Sequence, residues 1–194
     1  MIELKNIVCN LKDRELFDIK EFTFENGHSY LLKGENGSGK STLLTAIIGY
    51  GDIVKGDIKK NGKITYQPQE IYLYKKTPID NFKISHGDTK LQEELSEELG
   101  IAALLKKSVD VLSGGERQKV AFIRSISSAK DVLILDEPFS QMDFASRDKA
   151  LKIAINWQKK EPHRTLIIVS HDAIDEGLFH HVLTIEDKTL KKIS

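Results

Sequence analysis

The sequence predicts an α/β fold, and three observations carry that prediction. Two short apolar runs, Val132-Leu133-Ile134-Leu135 and Leu166-Ile167-Ile168-Val169, have the unbroken hydrophobicity of central parallel strands buried on both faces. Between them lies a stretch with helical spacing, roughly Ser146 to Lys160, closed by Pro162. Nearer the start, a strand pattern runs into a glycine-rich loop and then a helix, the order a phosphate-binding βα unit requires.

The elements follow in order. Residues 2 to 8 (IELKNIV) alternate apolar and polar, as a half-buried strand does. Residues 16 to 33 read as two further strands, LFDIKEFTF and HSYLL, joined at Glu25-Asn26-Gly27, because Asn-Gly favours a tight turn. LLTAIIGY is a helix ending at Gly49, and residues 51 to 70 hold short turn-and-strand pieces punctuated by Gly56 and Asn61-Gly62. Residues 78 to 110 are charged and helical in period (LQEELSEELGIAALLKK), so a small helical insertion over about 70–115 stands off the sheet. No repeat or long linker divides the chain, and residues 1–194 read as one domain.

Composition narrows the function. Lys+Arg and Asp+Glu both number 29, so the charge balances and no nucleic-acid partner is expected. One cysteine, Cys9, excludes a disulfide scaffold and a zinc ribbon, which fits a reducing cytoplasmic compartment. The longest apolar runs are far short of the roughly 20 residues a spanning helix needs. The N-terminus mixes acids and bases and has no signal-peptide core. If the protein works at a membrane, another chain supplies the spans.

Three segments carry chemistry. Gly34-Glu35-Asn36-Gly37-Ser38-Gly39-Lys40-Ser41, followed by Thr42, matches GxxxxGK[ST]. The glycines let backbone N–H groups curl round a phosphate, Lys40 reaches the β and γ phosphates, and the Ser41 hydroxyl ligates Mg²⁺. Asp136 and Glu137 end an apolar strand, where carboxylates enter the ligand crevice of an open α/β sheet. Asp136 is suited to hold Mg²⁺ and Glu137 to polarise the attacking water. In Leu112-Ser113-Gly114-Gly115-Glu116, Ser-x-x-Glu is a capping box that starts a helix. Two glycines in a first helical turn cost about 1 kcal/mol each relative to alanine, which points to something approaching the backbone closely. A second helix N-terminus of this kind is a second phosphate device. It meets the first only if the fold brings them together or two copies face each other.

Together these segments resemble the ATPase domain of ATP-binding cassette (ABC) proteins, in that family's order, from about Ile2 to Glu186. GENGSGKS is similar to the Walker A loop, VLILDEP to the Walker B strand, and LSGGE to the signature motif. The resemblance implies a P-loop NTPase core with N-terminal antiparallel strands, binding ATP and Mg²⁺. It also implies a Q-loop glutamine at Gln69 that helps hold Mg²⁺, with Gln67 the lesser candidate. Ser140-Gln141-Met142-Asp143 resembles the D-loop, whose Ser140 and Asp143 then meet a partner subunit, and His171 the switch histidine at the γ-phosphate. The implied assembly is a head-to-tail dimer, of two copies or with a second nucleotide-binding subunit. Each ATP then lies between Walker A of one chain and Ser113, Gly114, Gly115 and Glu116 of the other.

The sequence departs from the family pattern in three places. Leu11 stands where an aromatic residue usually stacks on adenine. Only 42 residues separate Gln69 from Leu112, and the chain stops soon after His171, so no C-terminal regulatory domain is expected. The favoured function is the ATPase subunit of a transporter, peripheral on the inner membrane face through a separate transmembrane subunit. Ile71, Tyr72, Leu73 and Tyr74 are apolar for a loop and form either its docking surface or part of the insertion's own core. GDIKKNGKITYQPQEIYLYKKTPIDNF resembles exporter-type cassettes and points to export of a peptide, drug or lipid. The alternative is a soluble ABC ATPase of the iron–sulfur assembly, repair or translation type. Residues 90 to 107 supply only about two heptads of the coiled coil that repair members carry.

Overall fold

A computed structural model describes residues 1–11, 14–50, 54–74, 76–171 and 173–193; the side chains of Leu11, Arg14 and Val54 fall outside it. The adenine-side reading of Leu11 therefore lies outside the described residues.

Strands β1 (Ile2–Leu11) and β2 (Arg14–Phe24) pair antiparallel, and β3 (Ser29–Lys33) leads through the glycine-rich loop into α1 (Lys40–Ile48). Gly49 closes α1 in the left-handed conformation, φ 87°, as its position after the apolar run predicts. Strands β4 (Val54–Lys60) and β5 (Ile64–Gln67) follow. The insertion holds α2 (Pro78–Ile84), α3 (Thr89–Glu98) and two single 3₁₀ turns, and α4 (Gly114–Ser128) returns the chain to the sheet. The period read through residue 107 breaks earlier: α3 ends at Glu98, and Gly100 turns left-handed at φ 71°. There is no two-heptad helix here. The last part is β6 (Val132–Asp136), α5 (Phe144–Lys159), β7 (Thr165–Val169), β8 (His181–Glu186) and β9 (Thr189–Lys192). Helix α5 begins two residues before the expected Ser146, because the Asp143 carboxylate accepts from the Ser146 N–H and caps it. The hairpin β8–β9 was not read from sequence, since it turns at Asp187-Lys188 without glycine, both residues having positive φ.

Two sheets result, one of order β2-β1-β4 and one of order β5-β6-β7-β3-β8-β9, parallel except for β9. The central strands bury both faces, as their unbroken apolar runs require. Alternate residues divide between two cores. Leu31, Leu133, Leu135, Leu166 and Ile168 pack with α4, α5 and insertion residues Phe82, Leu95 and Leu99. Tyr30, Leu32, Val132, Ile134, Ile167 and Val169 pack with α1 and the antiparallel sheet, where Cys9 is a buried free thiol. Strand order places the site. Val169 pairs with Leu32 on one side and Asp136 on the other, so β3, β7 and β6 end level. The residues after them, in the glycine-rich loop, at His171 and at Glu137, share one edge.

Candidate nucleotide site

The phosphate loop is built by what α1 lacks. Its N-cap is Gly39, with no side-chain cap and no acid in the first turn, so the first N–H groups and the positive helix end stay open. Gly39 has φ 99°, and a Cβ there would lie 2.9 Å from Phe17 Cδ1. Gly37, φ 80°, faces open space with nothing within 4 Å of such a Cβ. Lys40 is buried at 7% exposure, and its ammonium donates to Gly34 O at 2.7 Å and Glu35 O at 2.8 Å. Burial lowers its pKa, with the Glu137 and Asp136 carboxylates opposing the shift. Glu35, Asn36, Gly37 and Ser38 line a cleft of about 770 Å³ that Leu16 and Thr184 also border. Thr42 sits half-buried in the first turn of α1.

The carboxylates close the site from β6. Asp136, 1% exposed, has its pKa raised by burial, against hydrogen bonds from Ser41 and Tyr66. The Tyr66 hydroxyl donates to Asp136 Oδ2 at 3.3 Å. Glu137 is 5% exposed with φ 49°, an uncommon conformation held from both sides. Its N–H donates to Val169 O at 2.9 Å, and its carbonyl accepts from Gln118 Nε2 at 2.9 Å. Glu137 Oε1 lies 2.8 Å from His171 Nδ1. Among the described residues, Ser38 Oγ, Asp136 Oδ1 and Glu137 Oε2 are buried without a hydrogen-bond partner. Orphaned buried oxygens are rare. Two acceptors on acids, one hydroxyl and an ammonium round an open helix end suit a phosphate chain with its divalent cation. Asp136 and Ser41 are the groups that could hold that cation.

A buried carboxylate with a raised pKa costs stability when it ionises. That cost begins near the unfolded carboxyl pKa, grows as pH rises through the higher folded value, and is fully present at neutral pH. Asp136→Asn should therefore raise the melting temperature of the nucleotide-free chain at pH 7.5, by roughly 2–4 °C for each kcal/mol relieved. The gain should shrink toward pH 4. Calorimetry showing no gain would mean that the Ser41 and Tyr66 bonds already offset burial.

The other predicted residues lie elsewhere. Gln69 is exposed just past β5, at the same end of the sheet as Asp136. Gln67 is 2% exposed, and neither of its amide atoms has a hydrogen-bond partner among the described residues. Ser113 caps α4 through the full capping box: its Oγ accepts from the Glu116 N–H at 3.3 Å, and Glu116 Oε2 accepts from the Ser113 N–H at 2.7 Å. The Ser113 N–H and hydroxyl, both donating to Glu116 Oε2, hold that carboxyl below the usual range. No described contact joins Ser113, Gly114, Gly115 or Glu116 to residues 34–42, so one chain does not unite the two phosphate devices. The close approach that the glycine pair implied comes partly from within the chain. A Cβ on Gly114 would lie 2.0 Å from Gln141 Oε1, and one on Gly115 2.7 Å from Gln141 O. Asp143 caps α5, and its bonds from Ser146 lower its pKa to about 2. Ser140 Oγ accepts from Gln118 Nε2 at 3.2 Å.

Gln118 escaped the sequence reading. It is 1% exposed and ties signature to Walker B, donating to Glu137 O and Ser140 Oγ and accepting from the Gln141 N–H at 2.6 Å. Its signal was available: it shares the buried face of α4 with Ala121, Phe122 and Ser125, where a lone amide needs a purpose. Tyr66 was also passed over, because a tyrosine in a strand reads as core.

Comparison with known proteins agrees with this geometry. A family profile described as ABC transporter matches residues 17–140. The zinc import ATP-binding protein ZnuC of Photorhabdus laumondii subsp. laumondii is 32% identical over 196 aligned residues, covering 98% of this chain and 74% of that protein. The molybdate/tungstate import ATP-binding protein WtpC of Thermococcus kodakarensis is 32% identical over 182, covering 82% of this chain and 55% of that one. A solved structure of an ATP binding subunit of an ABC transporter superposes with TM-score 0.84 at 21% identity, over 100% of this chain and 90% of that one. Both named relatives are described as import ATP-binding proteins, so the export that the exporter-like segment pointed to finds no support in them. With the glycine loop, the paired acids and LSGGE in family order on the family's fold, the chain belongs to the ABC transporter family, as an ATP-binding subunit that uses Mg²⁺ and hydrolyses ATP.

Proposed function

We propose that this chain works as a head-to-tail pair and energises uptake through a separate membrane-spanning subunit. The observation that carries the reading is the split site. Lys40, Asp136, Glu137 and His171 gather at the ends of β3, β6 and β7, while Ser113–Glu116 cap a helix outside that group. In a facing copy the signature covers the phosphates. The open α1 N–H groups and Lys40 bind β and γ oxygens, Lys40 exchanging its two carbonyl contacts for them. Ser41, Asp136 and Gln69 would hold Mg²⁺, which would neutralise phosphate charge when bound. Glu137 orients the attacking water and takes its proton, and His171 fixes the Glu137 carboxylate and reaches the γ-phosphate. Ser140 and Asp143, flanking Gln141, meet the partner. Losing the γ-phosphate removes the link between halves.

Two features support a membrane partner. Leu73 is buried and Ile71 packs against the core, but Tyr72 and Tyr74 are 67% and 42% exposed. The two tyrosines pack edge to face, 5.4 Å apart, beside a cleft that Ile84 and Arg124 also line. Arg124 secures this wall by donating to Tyr72 O at 3.1 Å and Asn81 Oδ1 at 3.2 Å. Among the described residues, no helix is long and apolar enough to cross a membrane, and the proposed uptake therefore draws on a membrane-spanning partner. The import direction rests on the named relatives. Capture with tagged Glu137→Gln protein and ATP from detergent-solubilised host cells should recover a multi-span membrane protein, and Tyr72→Asp should lose it. Recovery of soluble partners alone, with the chain absent from membranes, would favour the assembly or repair reading.

A further inference from the structure

Tyr66 stands opposite Ile134 in the parallel β5–β6 pair, one pleat back from Asp136. Residues 134 and 136 point to the same face of the sheet, because side chains alternate along a strand. A side chain opposite 134 therefore meets Asp136 only if it is long and carries a polar tip. Tyrosine has both properties. Its ring packs against the core that holds Ile134 and the α1 residues Leu44 and Ile47, and its hydroxyl donates to Asp136 Oδ2 at 3.3 Å. The next residue, Gln67, faces the other side of the sheet and offers no substitute.

That bond divides the work of the two carboxylate oxygens. Oδ2 accepts from the phenol, while Oδ1 is buried with no hydrogen-bond partner among the described residues. An aspartate carboxylate turns broadly about its last torsion, so the side chain alone does not decide which oxygen faces the phosphates. A donor fixed on one oxygen does decide it. The donor here is neutral. A lysine or arginine in its place would form an ion pair and compete with a cation for the carboxylate, whereas a phenol orients the group and leaves its charge available.

We propose that Tyr66 is a positioning residue for the cation of the nucleotide site: by holding Asp136 Oδ2 it aims Oδ1 at Mg²⁺, or at a water of its shell, and favours Mg²⁺ over a larger cation such as Ca²⁺. The inference rests on the reading of Asp136 as a cation ligand and adds the residue that orients it. Mg²⁺ demands near-octahedral geometry at about 2.0–2.1 Å, whereas Ca²⁺ accepts oxygens at roughly 2.3–2.6 Å in looser arrangements, bidentate carboxylates included. A carboxylate held through one oxygen presents a single directed ligand, which suits the stricter ion. Released, it can swing to offer both oxygens, which suits the more tolerant one.

Tyr66→Phe removes the hydroxyl and keeps the ring, and Asp136→Asn is the reference. Calorimetry gives the affinity of each full chain for β,γ-imido-ATP, which is not hydrolysed, in excess Mg²⁺, in excess Ca²⁺ and in EDTA. In Tyr66→Phe the gain in affinity that Mg²⁺ confers over EDTA should fall at least about tenfold, the size of effect typical of losing a hydrogen-bond partner behind a metal ligand. The gain conferred by Ca²⁺ should fall by a smaller factor, and the affinity in EDTA should match that of the unmodified chain. Asp136→Asn should lose the Mg²⁺ gain as well. A full Mg²⁺ gain in Tyr66→Phe, with Asp136→Asn losing it, overturns the proposal and leaves Asp136 as the ligand. A full gain in both variants removes Asp136 from the cation, and the proposal falls with that reading. Equal losses in Mg²⁺ and in EDTA would make Tyr66 a packing residue of the phosphate site and overturn its role toward the cation. A Ca²⁺ gain that falls as far as the Mg²⁺ gain overturns the directed-ligand account.

Discussion

Glu137→Gln should bind Mg-ATP with near-native affinity and hydrolyse it at least about a hundredfold more slowly. Removing a general base typically costs 10²–10⁴-fold. The separation of binding from turnover follows from where the side chain sits. In the proposed roles Lys40 and the open α1 N–H groups bind phosphate without help from Glu137, and glutamine keeps the shape of a side chain that is 5% exposed. The main chain at 137 is held at φ 49° by Val169 and Gln118 through its backbone N–H and carbonyl, so the exchange leaves the strand end in place. What disappears is the carboxyl acceptor: among the described residues Oε2 has no hydrogen-bond partner, and an amide is no base. Because the γ-phosphate then persists, the variant should also accumulate as a nucleotide-bound pair, visible by size-exclusion chromatography with light scattering. Native turnover in this variant would remove Glu137 from the chemistry and leave His171 as the candidate base. His171→Ala would then produce the larger defect.

The residues legible in the sequence are those whose spacing encodes a local backbone requirement. The Gly34–Ser41 loop, the capping box at Ser113 and the acids ending β6 each announce themselves within eight residues, and all three appear where the pattern places them. The central strands were equally plain, since only burial on both faces tolerates four consecutive β-branched or leucine residues. What escaped depends on distant partners. Gln118 is unremarkable until Glu137, Ser140 and Gln141 fold against it. The Gly114-Gly115 pair was read as room for a ligand, yet Gln141 of the same chain already occupies much of that room. Strand β8 was missed because its buried residues, Val182 to Ile185, were overshadowed by the histidines before it. The insertion was found but drawn too continuous: the helical period was followed across Gly100, although that glycine was the local signal for the end of α3.

Ser113→Arg should abolish cooperative hydrolysis while sparing nucleotide binding by the single chain. Ser113 is exposed, and no described contact reaches from it to residues 34–42, so a larger cationic side chain there leaves the chain's own phosphate loop untouched. In the facing pair proposed above, the same hydroxyl and the N–H groups of Gly114 and Gly115 would meet the partner's nucleotide. An arginine fills that space and keeps the halves apart. Turnover should fall by roughly two orders of magnitude, the loss typical of removing a preorganised donor from a transition-state oxygen. The Hill coefficient for ATP should fall toward 1, the value for independent sites. The cap itself must be separated from the shared site, because losing the Ser113–Glu116 box costs about 1 kcal/mol of helix stability. Ser113→Ala makes that separation: it loses the cap and one hydroxyl but admits the partner, so it should melt lower yet retain cooperativity. If alanine and arginine depress turnover equally, the capping box matters through the fold of α4 and the shared-site reading fails. If arginine alone removes cooperativity while equilibrium nucleotide affinity stays within threefold, each ATP is completed by a residue that its own chain does not supply.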